Sequence, residues 1–151
     1  MEGETAPNFT LKDQDGNEFE LYNNLDTKIL LVFYPKDNSP VCTKQLTNYN
    51  KNISDFIKLD IKIVGINIDN TEAHSSFCDN LMLRFPLLSD ADKNVSKLYN
   101  AINIFGINKR KLILIDTDKK IIFERTTLSF YFMNSRRILR KVKARTMDLL
   151  T

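Results

Sequence analysis

Two cysteines, Cys42 and Cys78, are the strongest nucleophiles in this 151-residue chain. A thiolate attacks peroxides, disulfides and electrophilic carbon, and it also binds soft metals. Cys42 sits in the segment FYPKDNSPVCTKQL, Phe33 to Leu46. There an apolar run ends at Pro35, which has no N–H to give to a sheet ladder. Ser39 then suits a helix N-cap and Pro40 the first helical position, so Cys42 falls in the first helical turn. Unpaired N–H groups and the positive end of the helix dipole favour an anion at that point. A free cysteine is also a common small core residue. The order of strand, proline, loop, Ser-Pro and cysteine favours the reactive role. His74 and Cys78 stand at i and i+4, but two such ligands alone do not make a zinc site. We read His74 as a helix-surface residue. No G-x-G-x-x-G and no flavin, haem or nicotinamide motif occurs, so no cofactor is expected.

These side chains need elements to position them. FTLKDQDGNEFEL reads as a hairpin turning at Asp15-Gly16. KILLVFY, Lys28 to Tyr34, and IKIVGINID, Ile61 to Asp69, are continuous apolar runs, as expected of strands buried on both faces. Leu46, Tyr49, Ile53, Phe56 and Ile57 fall at helical spacing, which predicts one helix from about Val41 to Leu59 with a single buried stripe. A helix across Glu72 to Asn80 places Phe77 inward and Cys78 near its end. FPLLSD and KNVSKLYNAINI give a short extended piece and a short helix. KLILID and KIIFERT read as strands joined by the turn Thr117 to Lys120, and a last helix covers residues 134–150. Strand–helix–strand–helix followed by two adjacent strands and a closing helix predicts an α/β protein. Its expected form is a thioredoxin-like mixed sheet flanked by helices, with an N-terminal hairpin, as one domain over residues 1–151. A doubly wound, flavodoxin-like sheet is the alternative, which the final hairpin fits less well.

Composition narrows the class. With 42% hydrophobic and 27% charged residues, the chain matches a globular protein and not a disordered one. No apolar run is long enough to cross a membrane. The acidic start MEGETAPNF lacks the basic-then-apolar order of a secretory signal. Two cysteines in a chain of this length do not make a disulfide scaffold, so a reducing, cytoplasmic location is expected.

The segment YPKDNSPVCT carries a resemblance. It is similar to the active-site motif of peroxiredoxins, Pro-x-x-x-(Thr/Ser)-x-x-Cys, filled here by Pro35, Ser39 and Cys42. The YPKD and PxCTK form resembles the peroxiredoxin Q branch, the bacterioferritin-comigratory-protein-like thiol peroxidases. GETAPNFTLKDQDGNEFEL, IVGINID, FPLLSDADKNVSKLYNA and KRKLILID follow in the family's order, so the resemblance spans about Gly3 to Arg125. It implies reduction of hydrogen peroxide and alkyl hydroperoxides by the Cys42 thiolate, which becomes a sulfenic acid. It also implies that Pro35 shields the thiolate, that Ser39 bonds the peroxide, and that Arg110 binds peroxide oxygen through its fork of donors. Lys109 and Lys111 flank Arg110, and charge alone does not choose among the three. The branch usually has Gly and Glu where this chain has Val41 and Gln45. Those changes add bulk beside the nucleophile and remove a charge.

The resemblance also bears on Cys78. Many members of the branch carry a resolving cysteine five residues after the reactive one, where this chain has Thr47. Others place it in the following helix, and Cys78, 36 residues on, matches that position. The implied cycle passes through a Cys42–Cys78 disulfide and is closed by thioredoxin or a similar dithiol reductant. Bridged cysteines need Cα atoms within about 7 Å, so both helical segments are expected to unwind locally after oxidation. The alternative is a one-cysteine enzyme resolved by an external thiol, with Cys78 packed in the core.

Net charge is +3, yet six of the basic residues lie between Arg136 and Arg145 with no acidic residue among them. On a helical wheel, Ile138, Leu139, Val142, Leu149 and Leu150 share one face. The expectation is an amphipathic helix docked on the sheet with a solvated basic face. Contact with nucleic acid, anionic membrane or an acidic partner is the sharper alternative. LSFYFM, Leu128 to Met133, is either core or a self-association surface; the resemblance implies a monomer, with a weak dimer as the alternative. Two rival classes remain: a thiol–disulfide oxidoreductase, for which Gln45 stands where a Cys-x-x-Cys would need its second thiol, and a non-enzymatic binding domain with a nucleic-acid-contacting helix.

Overall fold

The computed structural model describes residues 1–150, with side chains through Met147. The N-terminal hairpin pairs β1 (Thr10–Lys12) with β2 (Glu18–Glu20). Its turn is pinned by the Asp13 carboxylate, which accepts from the N–H groups of Asp15 and Asn17, while Gly16 takes φ +80°. A 3-10 turn (Tyr22–Asn24) leads into β3 (Lys28–Phe33), α1 (Pro40–Lys51) and α2 (Ile53–Ile57). Then come β4 (Ile61–Asn67), α3 (Thr71–Leu81), β5 (Leu87–Ser89) and α4 (Asn94–Leu98), before β6 (Arg110–Ile115), β7 (Ile121–Thr127) and α5 (Ser135–Leu150). The sheet order is β2-β1-β5-β4-β3-β6-β7. β3, β4 and β5 run parallel, and β6, β7 and the hairpin are antiparallel to their neighbours. That mixed seven-stranded sheet is the thioredoxin-like arrangement expected from the element order. None of the described helices is long and apolar enough to cross a membrane.

The two-residue period of a strand sorts the core into two layers. Leu30, Val32 and Tyr34 join Leu112 and Leu114 against residues of α1, α2, α3 and α5. Ile29, Leu31 and Phe33 join Ile113 and Ile115 on the other face, against Phe9, Phe19, Val95 and Tyr99. Each such side chain, fully buried, contributes roughly 1.5–3 kcal/mol relative to exposure. Gly65 in β4 lets the layers close: a Cβ there would come within 2.5 Å of Leu87 Cδ2 and 3.3 Å of Tyr34 Cε1.

Two expectations need correction. The helix predicted from Val41 to Leu59 is two helices. α1 stops at Lys51, and the side chain of Asn52 donates to the Asn48 carbonyl at 2.9 Å, competing with the helical ladder. The break rotates the stripe, so Ile53 and Phe56 stay buried while Ile57 is 62% exposed. His74 is not on the surface but 0% exposed. It lies three residues before the inward Phe77, and i, i+3 positions share a helix face. In α5, Ile138 and Val142 pack in the core with Leu139 beside them, as the wheel implies; the side chains of Leu149 and Leu150 lie outside the described residues.

Candidate active site

β3 ends at Phe33, and the Tyr34 N–H still donates to the Ile66 carbonyl at 3.2 Å before Pro35 ends the pairing. The loop from Pro35 turns through Asn38, which has φ +62°, a conformation that asparagine tolerates better than most residues. Ser39 takes the N-cap position with extended backbone, and Pro40 opens α1. The Ser39 hydroxyl, however, makes no cap. It donates to the Lys36 carbonyl at 3.0 Å instead, folding the loop on itself. Cys42 therefore stands in the first turn of α1, as expected, and is 0% exposed. Pro35, Ser39 and Val41 are half-buried around it in the chain.

Arg110 meets Cys42 from the first residue of β6. Its Nη1 donates to Cys42 Sγ at 3.3 Å and to Gln45 Oε1 at 2.6 Å. Its Nε and Nη2 both donate to the Ser129 carbonyl, at 3.2 and 2.7 Å. Strand alternation resolves the ambiguity among the three neighbouring cations. Positions 110, 112 and 114 face the Cys42 layer, whereas Lys111 faces the other. There Lys111 Nζ donates to the Tyr99 carbonyl at 2.8 Å and pairs with Glu124 at 2.8 Å. Lys109 reaches only Asn100 at 3.4 Å on the surface.

Gln45 and Tyr49 extend this cluster. Gln45 Nε2 donates to the Tyr49 hydroxyl at 3.1 Å, and that hydroxyl donates to the Met133 carbonyl at 2.6 Å. Burial raises the Tyr49 phenol well above its ordinary value, partly offset by Gln45 and by the Arg110 charge. Arg110 is only 3% exposed, and among the described residues no carboxylate forms an ion pair with it. A buried cation without a countercharge is costly. The sulfur of Cys42 and the Gln45 amide oxygen are the groups its Nη1 reaches.

Cys78 lies near the end of α3 beside Phe77, in the same apolar layer as Cys42. Both cysteines are free thiols. Burial, with a further contribution from Asp37, pushes the Cys78 thiol up to about 12. Sequence reasoning missed Asp37, whose carboxylate is buried, and the partner role of the Ser129 carbonyl. The signal for Asp37 was weak, because a loop aspartate before a helix reads as solvated. Exposed Leu128, Phe130 and Tyr131 show that most of LSFYFM is surface, although Met133 is buried. Among the described residues no group of three or more His, Cys, Asp or Glu side chains gathers as for a metal ion.

Residues 3–124 match the AhpC/TSA family, and the chain belongs to that family. Its relatives are peroxiredoxins of the Bcp and peroxiredoxin Q kind. The putative peroxiredoxin bcp of Helicobacter pylori J99 is 41% identical over 99 residues, 66% of this chain and 65% of that protein, so the match spans just under two thirds of the relative. Peroxiredoxin Bcp of Escherichia coli K12 is 35% identical over 127 residues, 79% of this chain and 81% of that one. The crystal structure of peroxidoxin BcpB from Mycobacterium tuberculosis superposes with a TM-score of 0.86 at 28% identity, covering 95% of this chain and 96% of that one.

Proposed function

We propose that this peroxiredoxin reduces hydrogen peroxide and alkyl hydroperoxides with Cys42 as the attacking thiolate. The observation that carries the reading is Arg110 Nη1 at 3.3 Å from Sγ, a buried guanidinium that among the described residues pairs with no carboxylate. The sulfur attacks the terminal peroxide oxygen, the O–O bond breaks, and water or alcohol leaves once protonated. Cys42 is left as a sulfenic acid. Negative charge moves from sulfur to the leaving oxygen, and donors fixed beforehand stabilise that movement without reorganising. Arg110 supplies the charged donor. Ser39 contributes a hydroxyl once it turns from the Lys36 carbonyl, and Pro35 limits water at the sulfur. Because Cys42 has no exposed surface, peroxide enters when the half-buried side chains of Pro35, Ser39 and Val41 give way.

The cycle continues when the Cys78 thiol attacks the sulfenic sulfur, forming the disulfide and releasing water. A thioredoxin-like dithiol then reduces the bridge, so the electrons come from a protein thiol with no bound prosthetic group. The enzyme works as a cytoplasmic monomer over residues 1–151. α5 carries its basic residues as a solvated face. Burial of Cys78 favours the alternative in which an external thiol resolves Cys42. The experiment that tests the function is peroxide consumption with thioredoxin and its reductase. Activity abolished in Cys42→Ser supports it, and activity retained in that variant sinks it. Mass spectrometry of peroxide-treated protein then separates a Cys42–Cys78 bridge from an adduct on Cys42 alone.

A further inference from the structure

A second set of buried polar groups lies behind the Cys42 loop, and the peroxide chemistry makes no use of it. Asp37, five residues before Cys42, is buried, and its Oδ1 accepts from the Tyr34 hydroxyl at 2.6 Å and from Asn67 Nδ2 at 3.2 Å. Its backbone N–H donates to Asp69 Oδ2 at 2.7 Å. Its other carboxylate oxygen lies 2.6 Å from His74 Nδ1. His74 belongs to α3, one turn before Cys78, and its Nε2 lies 3.0 Å from the Leu88 carbonyl. A carbonyl only accepts, so Nε2 carries a hydrogen. Two lone pairs facing each other at 2.6 Å would repel, so a second proton lies between Nδ1 and Oδ2. The pair is thus a proton-bridged, fully buried contact between the loop that leads to Cys42 and the helix that carries Cys78.

We propose that Asp37 and His74 form a latch that holds these two segments in the reduced arrangement, and that its opening sets how fast Cys78 reaches oxidised Cys42. The proposal rests on the reading that Cys78 resolves Cys42. Disulfide geometry requires the two Cα atoms within about 7 Å, and neither cysteine can travel while its segment stays helical and packed. Moving either segment separates Asp37 from His74 and exposes a buried charged hydrogen bond, the kind whose loss is most costly. The latch also bears on reactivity. Burial, the largest cause, keeps the Cys78 thiol far from ionising. Opening therefore releases Cys78 and activates it in one step. Asp37 and His74 act as positioning residues, since neither touches the reacting sulfur.

The test uses the full-length protein and its Asp37→Asn and His74→Gln variants after one equivalent of hydrogen peroxide. Two rates are followed separately: loss of the Cys42 thiol, by competition with horseradish peroxidase, and conversion of the sulfenic acid to disulfide, by rapid quench with dimedone and mass spectrometry. The disulfide step is expected to run about tenfold faster in each variant, from the weight of one charged hydrogen bond. Thiol oxidation should stay within about twofold. A double variant should be no faster than either single one, because the two residues act as one unit. A downfield proton resonance of the bridge in the wild type, absent from both variants, supports the same conclusion. Normal disulfide formation at an unchanged rate in both folded variants overturns the latch and leaves the two-cysteine cycle standing. Absence of any Cys42–Cys78 disulfide in the wild type overturns both. Should the variants fail to fold, native-state hydrogen exchange on the wild type decides: residues 36–43 and α3 opening together support the latch, and independent opening overturns it.

Discussion

Arg110→Met removes the only charge that, among the described residues, touches the Cys42 sulfur, while keeping an unbranched chain of similar length. At 3.3 Å, a full charge pair at an effective dielectric of 20 interacts by about 5 kcal/mol before desolvation is subtracted. Much of that gross value is offset by the cost of keeping a guanidinium buried. The part specific to the transition state is better gauged from fixed donors aimed at a developing oxyanion, each worth about 10²–10³ in rate. We therefore expect the second-order rate constant with hydrogen peroxide to fall by about 10²–10³. Folding stability should change much less. The variant orphans the Gln45 and Ser129 oxygens, at about 1–3 kcal/mol each, but it also relieves the cost of burying a cation. Arg110→Lys separates charge from geometry: an ammonium cannot span Sγ, Gln45 and Ser129 from one position, so a loss of about 10–100-fold is expected despite the retained charge. The chain has no tryptophan, so competition with horseradish peroxidase is the suitable assay, and it reads the Cys42 step without any reductant. Arg110→Met within about threefold of the wild-type rate, with an unchanged circular dichroism spectrum, would show that Arg110 does not stabilise the charge that develops on the leaving oxygen.

Two further outcomes are expected. Gln45→Glu brings a carboxylate to the guanidinium now bonded to the amide oxygen at 2.6 Å, and it removes the donor to the Tyr49 hydroxyl; the peroxide rate should fall about tenfold as charge is drawn from the sulfur, and a faster variant would contradict the role given to Arg110. Burial holds the Cys78 thiol up at about 12 against an ordinary 9.0, so at pH 8 the folded reduced protein should alkylate at Cys78 about a thousandfold more slowly than in urea. The sign of the linkage follows: a raised folded value gives stability that is full below about pH 9 and is lost as pH climbs towards 12. Urea midpoints should show that decline in the wild type and a smaller one in Cys78→Ala.

Much of this was legible because buried strands and helix starts leave local marks. The proline after β3, Ser39-Pro40 and the two apolar runs are each short-range signals, and they located Cys42 correctly at a helix start. What stayed hidden was decided by which of several near or distant acceptors a polar side chain takes. Nothing near Asn52 in the sequence announces that its amide will bond the Asn48 carbonyl and end α1. Ser39 has the right type for a cap, yet the Lys36 carbonyl takes its hydrogen bond. His74 was misread although the information was present, since the inward placement of Phe77 already fixed the face three residues earlier. A buried histidine goes against expectation for its polarity, and only the Asp37 carboxylate and the Leu88 carbonyl make its burial affordable in hydrogen bonds.

Strand direction explains why the site exists where it does. β3 delivers Cys42 from its carboxyl end, and a parallel neighbour would bring its own carboxyl end to that edge. β6 instead runs antiparallel to β3, with Phe33 opposite Lys111. That pairing sets the first residue of β6 beside the last residues of β3, so Arg110 arrives at Cys42 across a gap of 68 residues. A shift of one residue in this register would turn Arg110 to the layer of Tyr99 and present Lys111 to the sulfur instead. The register is held by six consecutive pairs between β6 and β7, Arg110↔Thr127 through Ile115↔Ile121, with an irregularity only between Leu114 and Ile115. It is also held by Lys111 itself, whose bonds to Tyr99 and Glu124 exist only on the opposite face. The second cation of the sequence triplet thus serves the first: by anchoring below the sheet, it fixes the face on which Arg110 meets the thiol.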